Sequence, residues 1–204
     1  PSLFAIEAGD FLKDLGRMEE AVLEWAGAIG DDGSEVSAVM QRVAGIEEDR
    51  EEFVLPLLER LRQSPTTGPR LRAGAQIALE AGVFGEATSL AETALEDLVG
   101  RPRRVFLTTL AQQAQEVSAM GVALWAYEIL REGATDVAET RALDQNITVV
   151  ALATGDTARA LEAQHAIADD LPAGSTDRRQ ALAETIRLGI EWGGVGVRES
   201  LAAY

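Results

Sequence analysis

Three observations predict an all-α chain of antiparallel helix pairs that stack on one another. Alanine is abundant in the 204 residues, and Val, Ile and Thr rarely alternate with polar residues, so local preference runs to helix. One phrase recurs at intervals of 33 to 38 residues: a break, a residue five later, another four further on and another three beyond that. A second mark, glycine or proline, falls 15 to 18 residues after each break.

The first copy is "LGRMEEAVLEWAGAI" (15–29), with its break at Gly16. Ala21, Trp25 and Ala28 then lie at i, i+4 and i+7, on one helix face. Small residues there admit a neighbouring helix closely, and the large one fills the space between pairs. Near Asp49 the same offsets hold Val54, Leu58 and Leu61; after Gly82, Ala87, Ala91 and Ala94. After Ser118 come Ala123, Tyr127 and Leu130; after Gly155 come Ala160, Gln164 and Ile167. A sixth break is expected near 193, in "WGGVGV" (192–197). Gly33, Pro65, Gly100, Gly133 and Pro172 end the units. Glycine can take the left-handed conformation at a helix C-terminus, and proline cannot continue a helix.

The units therefore read 2–33, 34–66, 67–100, 101–135, 136–173 and 174–204, giving six pairs and about twelve helices. A single pair cannot bury its own apolar face, so the units form one domain over 1–204. Trp25, Trp125 and Trp192 fall near stacking faces and read as core.

With Gly9, Ala75 and Ala111 as small residues seven before their breaks, the whole pattern resembles the tetratricopeptide repeat. The resemblance covers nearly the whole chain. It departs where Arg42 takes the small site and where no glycine marks the turns at 49 and 118; the later units are also longer than the family's usual period. It implies a right-handed superhelical solenoid whose first helices line a concave surface.

The formal charge is −16, with 5 basic and 15 acidic groups in residues 1–60, 6 and 5 in 61–104, and 7 and 14 in 105–204. So acidic a chain is repelled by phosphate backbones, which argues against nucleic acid as a partner. No apolar run reaches the length of a membrane span, which argues against membrane insertion. Cysteine is absent, so disulfides and thiolate chemistry are excluded. The start at Pro1 and the end at Tyr204 suggest a piece of a larger protein or complex, and the compartment stays open between bacterial periplasm and cytoplasm. The Arg-rich, Lys-poor usage, with Lys13 the one lysine, suggests a GC-rich bacterial genome.

Chemistry is sparse. His165, the one histidine, has Asp169 at i+4, too few ligands for a metal, and reads as an outer-surface residue. No Ser–His or Cys–His partnership is available. "GGVGV" (193–197) lacks the strand that a phosphate-binding glycine loop needs, and "DDGSE" (31–35) lacks alternating calcium ligands and reads as a helix cap through Asp32 or Ser34. The sequon "NIT" (146–148) lies mid-helix. No catalytic residue, cofactor or metal ligand is expected.

Arginine remains. "TGPRLR" (67–72) and "GRPRRV" (100–105) share a 33-residue step, Pro69 to Pro102 and Arg70 to Arg103, and both open first helices. Arg70, Arg72, Arg103, Arg104 and Arg141 oppose the dipoles of their own helices. They either pair with acidic groups on preceding helices or form a basic strip for a ligand. By the family resemblance the inner face adds Gln76, Thr108, Gln112, Gln115, Gln145 and Thr148, side chains suited to a peptide backbone. The expected function is a protein-interaction scaffold for a peptide or protein segment, acidic in character. The alternative is a structural module of a bacterial cell-envelope assembly, packing through an apolar patch such as Trp192, Val195, Val197 and Leu201.

Overall fold

A computed structural model describes residues 4–63 and 67–191. Among the described residues every regular element is an α-helix, so the chain is all-α. It forms two compact units, 1–119 and 120–204. The first holds α1 (Ala5–Asp14), α2 (Met18–Ala28), α3 (Val36–Ala44), α4 (Arg50–Arg62), α5 (Gly68–Ala81), α6 (Phe84–Glu96) and α7 (Gly100–Glu116). The second holds α8 (Met120–Glu132), α9 (Val137–Thr154), α10 (Thr157–Asp169) and α11 (Thr176–Glu191). The sixth break, Pro65 and the apolar residues of 192–201 lie outside the described residues. The division between units falls inside the fourth sequence unit, between α7 and α8.

The expected breaks at 16, 49, 82, 118 and 155 are all left-handed residues: Gly16 (φ 74°), Asp49 (51°), Gly82 (85°), Ser118 (60°) and Gly155 (76°). At four of them the turn closes the same way. The amide after the break donates to the carbonyl five residues back: Arg17 to Leu12 and Val83 to Ala78 at 2.9 Å, Ala119 to Ala114 at 2.7 Å, Asp156 to Ala151 at 2.9 Å. This bond satisfies a carbonyl that the helix end would otherwise orphan. Asp49 and Ser118 hold the conformation without glycine, against a cost of about 1–2 kcal/mol for an L side chain.

Every refrain position among the described residues is buried, from Ala21, Trp25 and Ala28 in α2 to Ala160, Gln164 and Ile167 in α10. The frame fixes burial and lets chemistry vary. In the first pair, Trp25 lies on Gly9, where even a methyl group would sit 2.4 Å from the indole. The indole Nε1 donates to Asp10 Oδ1 at 3.2 Å. Arg42, the departure from the small first-helix residue, grips the same carboxylate with Nε (2.7 Å) and Nη2 (2.6 Å), joining α1 to α3. In unit 1, α5 is central: it packs on α3, α4, α6 and α7. Gly74 there leaves room for Leu61 and Leu90 from its two flanks.

Arginines at first-helix starts find carbonyls and carboxylates at the ends of neighbouring helices. Arg103 donates to Leu95 O of α6 at 3.3 Å, and Arg178 to Leu171 O just past α10 at 3.3 Å. Antiparallel packing sets the N-terminus of one helix beside the C-terminus of its neighbour. A cation misplaced on its own dipole is thereby well placed on another.

Candidate functional site

The segment after α2 is bound to the start of α5. Thr67 caps α5, its hydroxyl oxygen accepting from Arg70 N at 3.4 Å, and the same hydroxyl donates to Asp31 O at 2.7 Å. Arg70 Nη1 lies 3.6 Å from Asp31 Oδ1. Gly33, left-handed at φ 79°, passes so close to α5 that a Cβ would lie 3.2 Å from Pro69 O. Asp32 Oδ1 accepts from Ser34 N at 2.9 Å, which holds its carboxyl below the usual range. Asp32 thus ties its own turn and caps no helix; α3 starts after Glu35, a left-handed residue without a side-chain cap.

These contacts wall an open cleft of about 500 Å³ between the α2–α3 loop, α5 and α7. Arg72 and Gln76 from α5 and Arg101 and Thr109 from α7 give it polar groups; Val36, Pro69, Pro102, Val105 and Phe106 give it apolar ones. Arg72 and Arg101 are the informative pair. Among the described residues neither makes a hydrogen bond or ion pair, whereas the other described arginines all have a partner.

The sequence-derived candidates divide accordingly. Arg72 and Gln76 line the cleft. Arg70 braces its wall through Asp31, and Arg103 is spent on the α6 terminus. Arg104, Thr108, Gln112 and Gln115 lie on α7 but do not line it. In unit 2, Arg141 and Gln145 line a separate cleft of about 650 Å³ with residues of α10 and α11. There Arg141 donates to Asp170 O at 3.3 Å, and Arg187 is held by Glu184 and Glu191. Thr148 is buried, its hydroxyl donating to Asp144 O at 2.8 Å. It sits seven residues before Gly155, the small inward site of the repeat, and that spacing foretells burial.

Val105 and Thr109 were missed for a reason of register; Arg101 has Gly68 as its counterpart 33 residues earlier, so no repeated cation marked it. Helix α7 has 17 residues against 14 in α5. Counting back from the breaks pairs Arg72 with Thr108; counting forward from Pro69 and Pro102 pairs Arg72 with Val105 and Gln76 with Thr109. The cleft lies at the N-terminal ends of both helices, so the forward count applies.

His165 is half-buried on α10, and Asn146 half-buried within α9. Among the described residues no group of three or more His, Asp or Glu is placed to hold a metal ion. No protein-family model matches the chain, and no curated protein is significantly similar to it.

Proposed function

We propose that the chain is a non-enzymatic scaffold, a tetratricopeptide-like solenoid of six helix pairs that holds an acidic segment of another protein on the face of its first helices. The recurring left-handed breaks and the buried refrain support the repeat reading. The observation that carries the function is the pair of unpartnered guanidiniums, Arg72 and Arg101, facing one cleft in a chain of net charge −16. Where acid is plentiful, cations left without partners are available to a ligand. A planar guanidinium holds a carboxylate through two parallel hydrogen bonds.

The test is binding of a blocked acidic decapeptide, alternating Glu and Gly, to the full chain. The wild type binds with an affinity that falls as salt rises, since exposed charges are screened over about 8–10 Å near physiological ionic strength. Arg72→Glu with Arg101→Glu removes the binding and leaves helical content intact. Failure of the wild type to bind, or equal binding by the double variant, overturns the reading.

One observation favours the structural-module alternative. Phe4, Phe11 and Leu15 make a stripe along α1 and are 72%, 64% and 55% exposed. The counterpart of Phe4 on α7, Phe106, and that of Phe11 on α5, Ile77, are buried. Such a stripe suits a permanent contact within an assembly.

A further inference from the structure

The unit-1 cleft is not uniformly basic, and its composition selects among acidic segments. Building on the acidic-segment reading, we infer that it recognises a carboxylate residue with an apolar, preferably aromatic, side chain beside it, and discriminates against runs of consecutive acids.

Two features of the lining argue this. First, much of the lining that the two guanidiniums share is apolar. Pro69 and Pro102 stand in equivalent places on α5 and α7, and Val105 is 56% exposed beside Phe106. A ligand with only charges would dehydrate these surfaces without covering them, whereas an apolar side chain gains by burying them. An open cleft of about 500 Å³ has room for two side chains of a bound segment. Second, Asp32 contributes a carboxylate to the same lining, fixed by the amide of Ser34. One incoming carboxylate meets Arg72 and Arg101; a second, adjacent one meets Asp32 and is repelled. Specificity of this kind comes from a repulsive group as much as from attractive ones.

The 33-residue step explains how the site arises. Pro69, Arg72, Ala73 and Gln76 of α5 reappear as Pro102, Val105, Phe106 and Thr109 of α7. Two copies of one helix face thus meet across the cleft. The copies diverge at three of these pairs; where α5 has Arg72, α7 has the apolar Val105 and supplies its guanidinium from Arg101 instead.

The experiment compares three blocked decapeptides with the same Gly/Ser flanks and a central Phe-Asp, Glu-Asp or Phe-Asn, titrated into the full chain and followed by fluorescence anisotropy. Phe-Asp should bind at least about tenfold tighter than Glu-Asp, which partial burial of one ring can supply. It should also bind more tightly than Phe-Asn, which lacks the charge. Val105→Ser should erode the Phe-Asp advantage over Glu-Asp, and Asp32→Asn should narrow it by improving Glu-Asp. If Glu-Asp binds as well as Phe-Asp and Arg72→Glu with Arg101→Glu still removes both, the apolar preference is wrong and the acidic-segment reading stands. If Phe-Asn equals Phe-Asp, or none of the three binds, that reading falls as well.

Discussion

The clefts of the two units are similar in size and opposite in electrostatic condition. In unit 1, Arg72 and Arg101 face the opening without partners, between apolar walls. In unit 2, Arg141 is committed to a helix-end carbonyl and Arg187 to two glutamates, and the lining is richer in polar residues. A basic residue at a groove is therefore not in itself a binding residue. An arginine already anchored by a contact of the fold offers a ligand little, and its removal acts on stability. One without such a contact has the reverse profile.

The first way to break this comparison is to attack the frame of unit 1. Trp25 is fully buried, and Trp25→Ala should cost about 3–5 kcal/mol in denaturant melts. A loss below about 1 kcal/mol would mean that the stacking contact is not where the burial places it. Gly9→Ala presses on the same contact from the other side, since the added methyl lies 2.4 Å from the indole; overpacking of that kind costs about 1–3 kcal/mol. A neutral Gly9→Ala would show that the indole has room to move.

Arg141→Glu and Arg72→Glu sharpen the comparison directly. The first strips a carbonyl of its donor and sets a negative charge at a helix C-terminus, for a loss of about 1 kcal/mol. The second breaks no hydrogen bond or ion pair among the described residues and should stay within about 0.5 kcal/mol of the wild type. Equal melts for the two would remove the distinction between anchored and unanchored arginines. Ser118→Gly should raise stability by about 1 kcal/mol by relieving a left-handed serine at the end of α7.

The smallest effect concerns acid. The hydrogen bonds from Arg42 hold the Asp10 carboxyl below its ordinary value of 3.8. A depressed carboxyl contributes stability that is present above that ordinary value and is lost as pH falls through the lowered one. Melts of wild type and Asp10→Asn should therefore converge below pH 3.8, with the wild type more stable above it. Parallel curves down to acid would show that the pair contributes nothing.

The helices and their breaks were legible in the sequence because both rest on local rules. Periodic small and large residues predict the buried face. A left-handed residue closes each of the breaks at 16, 49, 82, 118 and 155, whether glycine is present or, as at Asp49 and Ser118, absent. The site was half legible. Arg72 and Gln76 follow from their places on α5, but which arginines stay free depends on the ends of neighbouring helices, and no spacing reveals that. Arg70 and Arg103 look alike in sequence to Arg72 and Arg101; Asp31 and the Leu95 carbonyl separate them in space. Three extra residues in α7 then moved the counterpart of Arg72 from Val105 to Thr108.

The most direct measurement follows the arginine Nε–H resonances of the full chain during titration with the Phe-Asp decapeptide. Arg72 and Arg101 should shift together and saturate at one stoichiometric equivalent, because their donors become filled, while Arg141 and Arg187 keep their free-state positions. Movement of Arg141 and Arg187 with Arg72 and Arg101 unmoved would contradict the account.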